Sequence, residues 1–162
     1  MSESKAQPSQ SHFPPPPALA PHLAVAGAKD ALAFYQKAFG AEVLDEIHTP
    51  DGRVLHAHVR LPNGGVFFLM DEFPEMGTTV SVKSLPRSPI AIHIEVPDAD
   101  AAWKRAVDAG AAVAHPLNDT FWGARYGQLR DPFGHIWSIA SKVRDVTREE
   151  RAAALAREFG GK

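Results

Sequence analysis

The sequence predicts an α+β fold in which two βαβββ modules form a curved mixed sheet around a cleft, with helices on the outer face and a further C-terminal helix. An internal repeat is the main observation. Residues 25–43 are echoed by residues 96–113, and residues 60–69 are echoed by residues 130–139. Two copies are too few for a solenoid, so we expect both to pack into one folded domain, with a site where equivalent strands converge.

The first module is predicted over residues 19–71. A short strand over residues 19–25 leads into a helix over residues 29–39, where apolar residues recur at helical spacing and Gly40 follows as a C-terminal cap. Three strand-like runs, separated by turn signals rich in proline and glycine, then follow at residues 42–48, 53–61 and 66–70. The order of elements is therefore β-α-β-β-β.

The second module is predicted over residues 90–145 and repeats this order. Its elements are a strand over residues 90–96, a helix over residues 99–109, and strands near residues 112–115, 126–130 and 136–141. Residues 72–89, which include three prolines, form the linker between the modules.

The two ends of the chain differ from the modules. Residues 1–18 are polar and then proline-rich, a composition that cannot pack a core, so we expect a disordered tail. Residues 146–162 are expected to form the C-terminal helix, because the run from Thr147 to Glu150 matches a capping box.

Composition narrows the classes of function. The chain has 162 residues, 44% of them hydrophobic, which is enough for one core. A net charge of −2 gives no electrostatic case for binding nucleic acid or an anionic membrane, and the absence of cysteine excludes thiolate chemistry. No apolar run approaches the ~20 residues of a membrane span, and no segment is typical of a signal peptide. We therefore expect a cytoplasmic protein.

Alternation along the predicted strands separates an apolar face from a polar one. In the strand over residues 90–96, His93 and Glu95 share the face opposite Ile92 and Ile94. The corresponding faces of the other strands carry His22, His56, His58, Phe68, Tyr126 and Ser138. Most of the polar groups are His or Tyr, which suit a pocket better than bulk water. This pattern favours a ligand-binding cleft over an ordinary solvated sheet face.

Several motifs resemble the glyoxalase/bleomycin-resistance/extradiol-dioxygenase superfamily, also called the vicinal oxygen chelate fold. They are Ala31-Leu-Ala-Phe-Tyr35, Ala38-Phe-Gly-Ala41, Asp51-Gly-Arg-Val-Leu-His-Ala57, Phe121-Trp-Gly-Ala-Arg-Tyr-Gly127 and Asp131-Pro-Phe-Gly-His-Ile-Trp137. The last two are most similar to the PhnB-like branch. The resemblance covers residues 19–145 and implies paired βαβββ modules that curl into a cleft, commonly within a homodimer.

The resemblance also implies where metal enzymes of this superfamily hold their ion. The ligand positions fall on Ala20, Phe68, Ala91 and Ser138. The first three side chains have no atom that binds a metal, and a serine hydroxyl is a poor ligand. We therefore expect no metal cofactor at this position, which argues against the metal-dependent lyase, isomerase and dioxygenase reactions of the superfamily.

Two functions are weighed against each other. The first is a metal-free small-molecule-binding protein of the bleomycin-resistance type, which binds or sequesters an aromatic or antibiotic-like ligand. Its ligand-binding residues would be His22, His56, His58, Phe68, His93, Glu95, Trp122, Arg125, Tyr126 and Ser138. No nucleic acid or membrane partner is expected. A third, less specific hypothesis is that the protein acts as a stress or regulatory partner of another protein and has no ligand of its own.

The second function is a glyoxalase-fold lyase, isomerase or dioxygenase-type enzyme. It would use either a divalent metal at a rearranged histidine and glutamate site, or His93 and Glu95 as an acid–base pair. Because these two residues are roughly 7 Å apart along one strand face, we expect a water to bridge their side chains rather than a direct hydrogen bond.

Overall fold

The computed structural model describes residues 15–77 and 79–160 and confirms the α+β fold with two βαβββ modules. The first module consists of β1 (His22–Val25), α1 (Ala28–Phe39), β2 (Glu42–His48), β3 (Val54–Arg60) and β4 (Val66–Asp71). The second consists of β5 (Ala91–Glu95), α2 (Ala99–Ala109), β6 (Ala112–Asp119), β7 (Ala124–Arg130) and β8 (Ile136–Lys142). Most of the predicted tail, residues 1–18, and the last two residues of the chain lie outside the described residues.

A C-terminal helix follows the second module. This helix, α3 (Arg148–Phe159), begins with the predicted capping box: Thr147 Oγ1 accepts from the N–H of Glu150, whose carboxylate accepts from the N–H of Thr147. Between the modules, residues 72–89 contain two single turns of 3₁₀ helix, Pro74–Met76 and Val82–Ser84. No helix in the described part of the chain is long and apolar enough to cross a bilayer.

The strands form two four-stranded mixed sheets, in the orders β1-β4-β3-β2 and β5-β8-β7-β6. In each sheet the first strand runs parallel to the last strand of its module, and the other neighbours are antiparallel. The repeat is therefore visible in the topology as well as in the sequence. Where the sequence predicted one curved sheet, the described residues form two sheets with no hydrogen-bonded strand pair between them.

Strand β6 extends beyond its predicted end near residue 115. The next residue is Pro116, which cannot donate a hydrogen bond to a neighbouring strand. In the structure β6 is an edge strand, and it continues through Pro116 to Asp119 while its register against β7 shifts. A proline is tolerated on an edge strand, since the missing donor then needs no partner.

The hydrophobic core lies between the two modules. Tyr35 of α1 and Phe67 of β4 are buried against Trp137 of β8, with ring centroids 5.3 and 5.6 Å from that of Trp137. Helix α2 also reaches α1, where Arg105 donates to the carbonyl oxygens of Gln36 and Lys37. The helix-facing sides of both sheets thus share one core, so the opposite, polar faces point away from each other.

A buried carboxylate ties the modules together. Asp131, which is only 3% exposed, accepts hydrogen bonds from Tyr35 Oη at 2.7 Å and from Trp137 Nε1 at 2.8 Å. It also accepts from the backbone N–H groups of Phe133 and His135, so it closes its own turn and reaches α1 of the other module. Burial and the neighbouring carboxylate raise the pKa of Tyr35 well above its usual range, which keeps the phenol a donor.

His135 lies beside this network and is expected to make the protein less stable in acid. It is buried, its Nδ1 has no hydrogen-bond partner among the described residues, and Asp131 Oδ2 is 4.0 Å away. Burial lowers the pKa of His135, and the attraction of Asp131 only partly opposes this effect. The imidazole of residue 135 is therefore protonated at a higher pH in the unfolded chain than in the folded protein. The free energy of unfolding is unaffected by this group above pH ~6.5 and decreases as the pH falls below that value.

Chemical denaturation at pH 7 and pH 5 measures this loss. His135→Gln should flatten the pH dependence by up to about 1.4 kcal/mol per pH unit. It should leave a residual slope from His22, whose pKa burial also lowers. The same substitution at the exposed His115 is the matched control and should keep the wild-type slope. An unchanged slope in His135→Gln would contradict the assignment.

Candidate functional site

The predicted site residues fall into two clusters, one on the polar face of each sheet. The first half-site consists of His22, His56, His58 and Phe68, and the second consists of His93, Glu95, Trp122, Tyr126 and Ser138. Hydrogen bonds and ring contacts connect the members within each cluster. Among the described residues, none of these contacts joins one half-site to the other.

The first half-site surrounds one phenyl ring with imidazoles. His22 lies directly opposite Phe68 across the parallel pair β1/β4, and His58 lies opposite Phe68 across the antiparallel pair β3/β4. The ring centroids of His22, His56 and His58 are 5.9, 4.8 and 5.2 Å from that of Phe68. Strand alternation therefore produces a compact aromatic surface from residues that are distant in sequence.

His22 is the imidazole of this half-site whose protonation the fold disfavours. Burial, together with the nearby imidazole of His56, lowers the pKa of His22, so His22 is neutral at pH 7. His58 is only 8% exposed, and its Nε2 has no hydrogen-bond partner among the described residues. A buried polar atom without a partner costs about 1–3 kcal/mol, so the His58 ring is held in place at a cost in stability.

The second half-site contains a chain of three hydrogen-bonded side chains. Ser138 Oγ is 2.8 Å from His93 Nδ1, and His93 Nε2 is 2.9 Å from Glu95 Oε1. Because an ionised carboxylate only accepts, we assign the ring hydrogen to Nε2, and the Ser138 hydroxyl then donates to Nδ1. The prediction of a water bridge between His93 and Glu95 is therefore wrong: β5 is an edge strand, where both side chains have room to turn toward each other.

Aromatic rings extend this half-site along β7. The ring of Tyr126 is nearly parallel to that of His93, with an interplanar angle of 19°, and Trp122 meets Tyr126 edge-on at 5.7 Å. Gln128 Nε2 donates to the hydroxyl of Tyr126. The indole of Trp122 is 43% exposed, so part of this aromatic surface faces solvent.

The structure places Arg125 away from both half-sites. Its guanidinium pairs with Asp100 of α2 at 2.9 Å and with Asp119 of β6 at 3.3 Å. Arg125 precedes Tyr126 on β7, so their side chains project to opposite faces of the sheet. Because consecutive side chains of a strand alternate between its faces, the sequence position of Arg125 next to Tyr126 already argued against including both in the predicted ligand-binding residues.

His115 was missed by the sequence analysis as a neighbour of the second half-site. Its ring centroid is 6.5 Å from that of Tyr126, and it lies opposite Gln128 across the strand pair β6/β7. The predicted strand includes residue 115, but its register against β7, which brings His115 opposite Gln128, was not predicted.

The residues at the metal positions of the superfamily do not fit a metal ion. The side chains of Ala20, Phe68 and Ala91 offer only carbon, and Ser138 Oγ is hydrogen-bonded to His93. Within residues 15–77 and 79–160 there is no group of three or more His, Cys, Asp or Glu side chains that could hold a metal. The histidines of the rearranged site considered above are divided between the two half-sites.

Comparison with known proteins identifies the family. The family model described as Glyoxalase/Bleomycin resistance protein/Dioxygenase superfamily matches residues 18–139. The uncharacterized protein Rv0887c of Mycobacterium tuberculosis is 44% identical over 147 residues, covering 90% of this chain and 86% of that protein. The protein YjdN of Escherichia coli is 26% identical and covers 75% of this chain and 92% of its own length.

Solved structures show the same fold. TioX from Micromonospora sp. ML1 superposes with a TM-score of 0.59 at 26% identity, covering 76% of this chain and 97% of that one. The fosfomycin resistance protein FosX from Listeria monocytogenes has a TM-score of 0.59 at 17% identity, covering 84% and 98%. The family match spans most of the chain and agrees with the observed modules. This chain therefore belongs to the glyoxalase/bleomycin resistance protein/dioxygenase superfamily.

Proposed function

We propose that this protein binds a small aromatic, antibiotic-like molecule without a metal, in a cleft that two copies of the chain build together. The observation that carries the proposal is the pair of half-sites, each lined by aromatic rings and imidazoles on an outward-facing sheet. A single sheet face covers only one side of a ligand, whereas small-molecule sites bury about 70–90% of it. A complete site therefore needs a second wall.

The open sheet edges support a homodimer as the source of that wall. Strands β1 and β5 are edge strands, and Leu19, just before β1, is 90% exposed. Ile90, just before β5, is also exposed. Unpaired edges are sites where another strand can add. Pairing β1 of one chain with β5 of its partner would bring His22 beside the partner's His93.

The chemistry of the walls favours a planar ligand with hydrogen-bonding groups. Phe68 on one side and Tyr126 with Trp122 on the other offer flat surfaces for stacking. The rings of His22, which is exposed, and His56, which is partly exposed, offer nitrogens for hydrogen bonds to the ligand. The superfamily to which the chain belongs includes bleomycin resistance proteins, which supports the antibiotic-like class.

Truncating either wall is expected to weaken binding. Phe68→Ala and Tyr126→Ala should each lower affinity by about two- to tenfold, because each loses stacking worth about 0.5–1.5 kcal/mol. Equilibrium fluorescence titration of the full chain with a panel of planar aromatic antibiotics measures the effect. Phe159→Ala, at an exposed position of α3, is the matched control and should bind as the wild type does. If no compound binds the wild type, or both variants retain its affinity, the proposal fails.

The hydrogen-bonded chain Ser138–His93–Glu95 favours an acid–base enzyme as the second candidate function. A histidine oriented by a carboxylate can move a proton, and His93 is exposed to a bound molecule. Ser138 is only 3% exposed, so it orients His93 rather than attacking a substrate. Mass spectrometry of panel compounds after incubation tests this function. A product formed by the wild type and absent with His93→Gln would support the acid–base enzyme. If all compounds stay unchanged, the enzyme function is contradicted and the binding function is the one that stands.

A further inference from the structure

A separate cavity of about 460 Å³ lies between the two modules. This volume is within the range of sites that hold small molecules. Phe39 and Leu61 line it from the first module, and Ile94, Ala101 and Ile139 line it from the second. Ile94 and Ile139 face each other across β5/β8 and alternate with His93 and Ser138, so the cavity lies behind the second half-site.

Most of the polar groups bordering this cavity are already used by the fold. Asn63 accepts from the N–H of Gly65 and donates to the carbonyl oxygen of Glu95. The carboxylate of Asp98 caps α2 by accepting from the N–H of Ala101. The remaining lining is mainly carbon, which favours a ligand that is apolar over most of its surface.

Arg105 is the positively charged residue at the border of this cavity. One nitrogen of its guanidinium has no hydrogen-bond partner among the described residues. Its Nε and Nη2 donate to the carbonyl oxygens of Lys37 and Gln36, whereas Nη1 has no partner there. A Cβ at position 40 would lie 3.0 Å from Nη1, so Gly40 leaves space for the guanidinium. These bonds hold the cation at the cavity border with one nitrogen available to an anion.

We propose that this cavity binds a small apolar monoanion, an aromatic or medium-chain carboxylate. The apolar part packs against Phe39, Ile94 and Ile139, and the carboxylate accepts from Arg105 Nη1. The proposal does not depend on the function of the half-sites, because the residues of the cavity lie on the opposite side of the sheets.

Calorimetric titration of the full chain with 1-naphthoate tests this site. We expect one bound naphthoate per chain. Ala101→Trp places an indole in the cavity and should weaken binding by about tenfold or more. Ala152→Trp, at an exposed position of α3, is the matched control and should bind as the wild type does. Absence of binding to the wild type, or equal affinity of the wild type and Ala101→Trp, would overturn the proposal.

The charge is tested with a neutral probe of the same shape, 1-naphthalenemethanol. Arg105→Gln should weaken naphthoate binding by about tenfold and leave the alcohol unaffected, while Arg105→Lys should retain most of the naphthoate affinity. Circular dichroism confirms that each variant is folded. Equal losses for both probes in Arg105→Gln would overturn the assignment of an anion. Loss of naphthoate binding in Tyr126→Ala but not in Ala101→Trp would place the probe in the half-site and overturn the cavity.

Discussion

Asp131→Ala is expected to destabilise the protein by about 3–5 kcal/mol. The substitution removes the acceptor for four donors: the Tyr35 hydroxyl, the Trp137 indole N–H and two backbone N–H groups. All four lie in a buried region, so water cannot replace the carboxylate without opening the core. The loss affects both modules at once, because Tyr35 belongs to the first and Trp137 to the second. Chemical denaturation at fixed protein concentration measures the free energy of unfolding.

Tyr35→Phe is the graded control for this network. It removes a single donor and leaves Asp131 with three others, so its expected cost is smaller, about 1–2 kcal/mol. Asp131→Ala should therefore destabilise the protein more than Tyr35→Phe does. A loss below about 1 kcal/mol in Asp131→Ala would show that the carboxylate does not hold the modules together.

Gly123→Ala is expected to cost about 2–4 kcal/mol. Gly123 has a φ of +89°, which a residue with a side chain rarely adopts. A Cβ at this position would also lie 2.4 Å from the carbonyl oxygen of Arg144 and 2.7 Å from a methyl group of Val146. The carbonyl belongs to the backbone and cannot rotate away, so the loop beside Trp122 must shift.

Gly64→Ala separates the two contributions at Gly123. Its φ of +88° is nearly the same, but no atom lies within 4 Å of the added Cβ. Gly64→Ala should therefore lose only the contribution of the backbone conformation, about 1 kcal/mol. Thermal or chemical unfolding of the two variants gives the comparison. Equal losses would mean that the contact with Arg144 contributes nothing.

Local patterns predicted the modules but not their arrangement. The spacing of apolar residues and the glycine that ends α1 specify each βαβββ unit, and the predicted helices agree with α1 and α2 to within one residue. The two sheets share a core through contacts such as that between Tyr35 and Asp131, which are far apart in sequence. A repeat in the sequence predicts two similar modules. It does not predict how these modules pack, because the apolar face of each sheet can be buried by more than one arrangement of the modules.

The candidate site was predictable to the extent that strand alternation determines it. Alternation placed His22, Phe68, His93 and Ser138 together on one polar, cleft-lining face. The structure divides them between the two sheets, with His22 opposite Phe68 and His93 opposite Ser138. Whether these faces meet depends on how the modules pack, which no local pattern encodes. The direct bond between His93 and Glu95 depends on side-chain rotation at a sheet edge, and the strand spacing does not fix that rotation.

Complementation between two variants tests most directly whether the cleft is shared between chains. Phe68→Ala damages the first half-site and Tyr126→Ala the second, so a mixed dimer of the two would hold one intact cleft and one doubly damaged cleft. Co-expressed in equal amounts, the variants should recover wild-type affinity in about a quarter of all clefts, measured by titration with the compound that the wild type binds best. Binding no stronger than that of either variant alone would contradict the shared cleft.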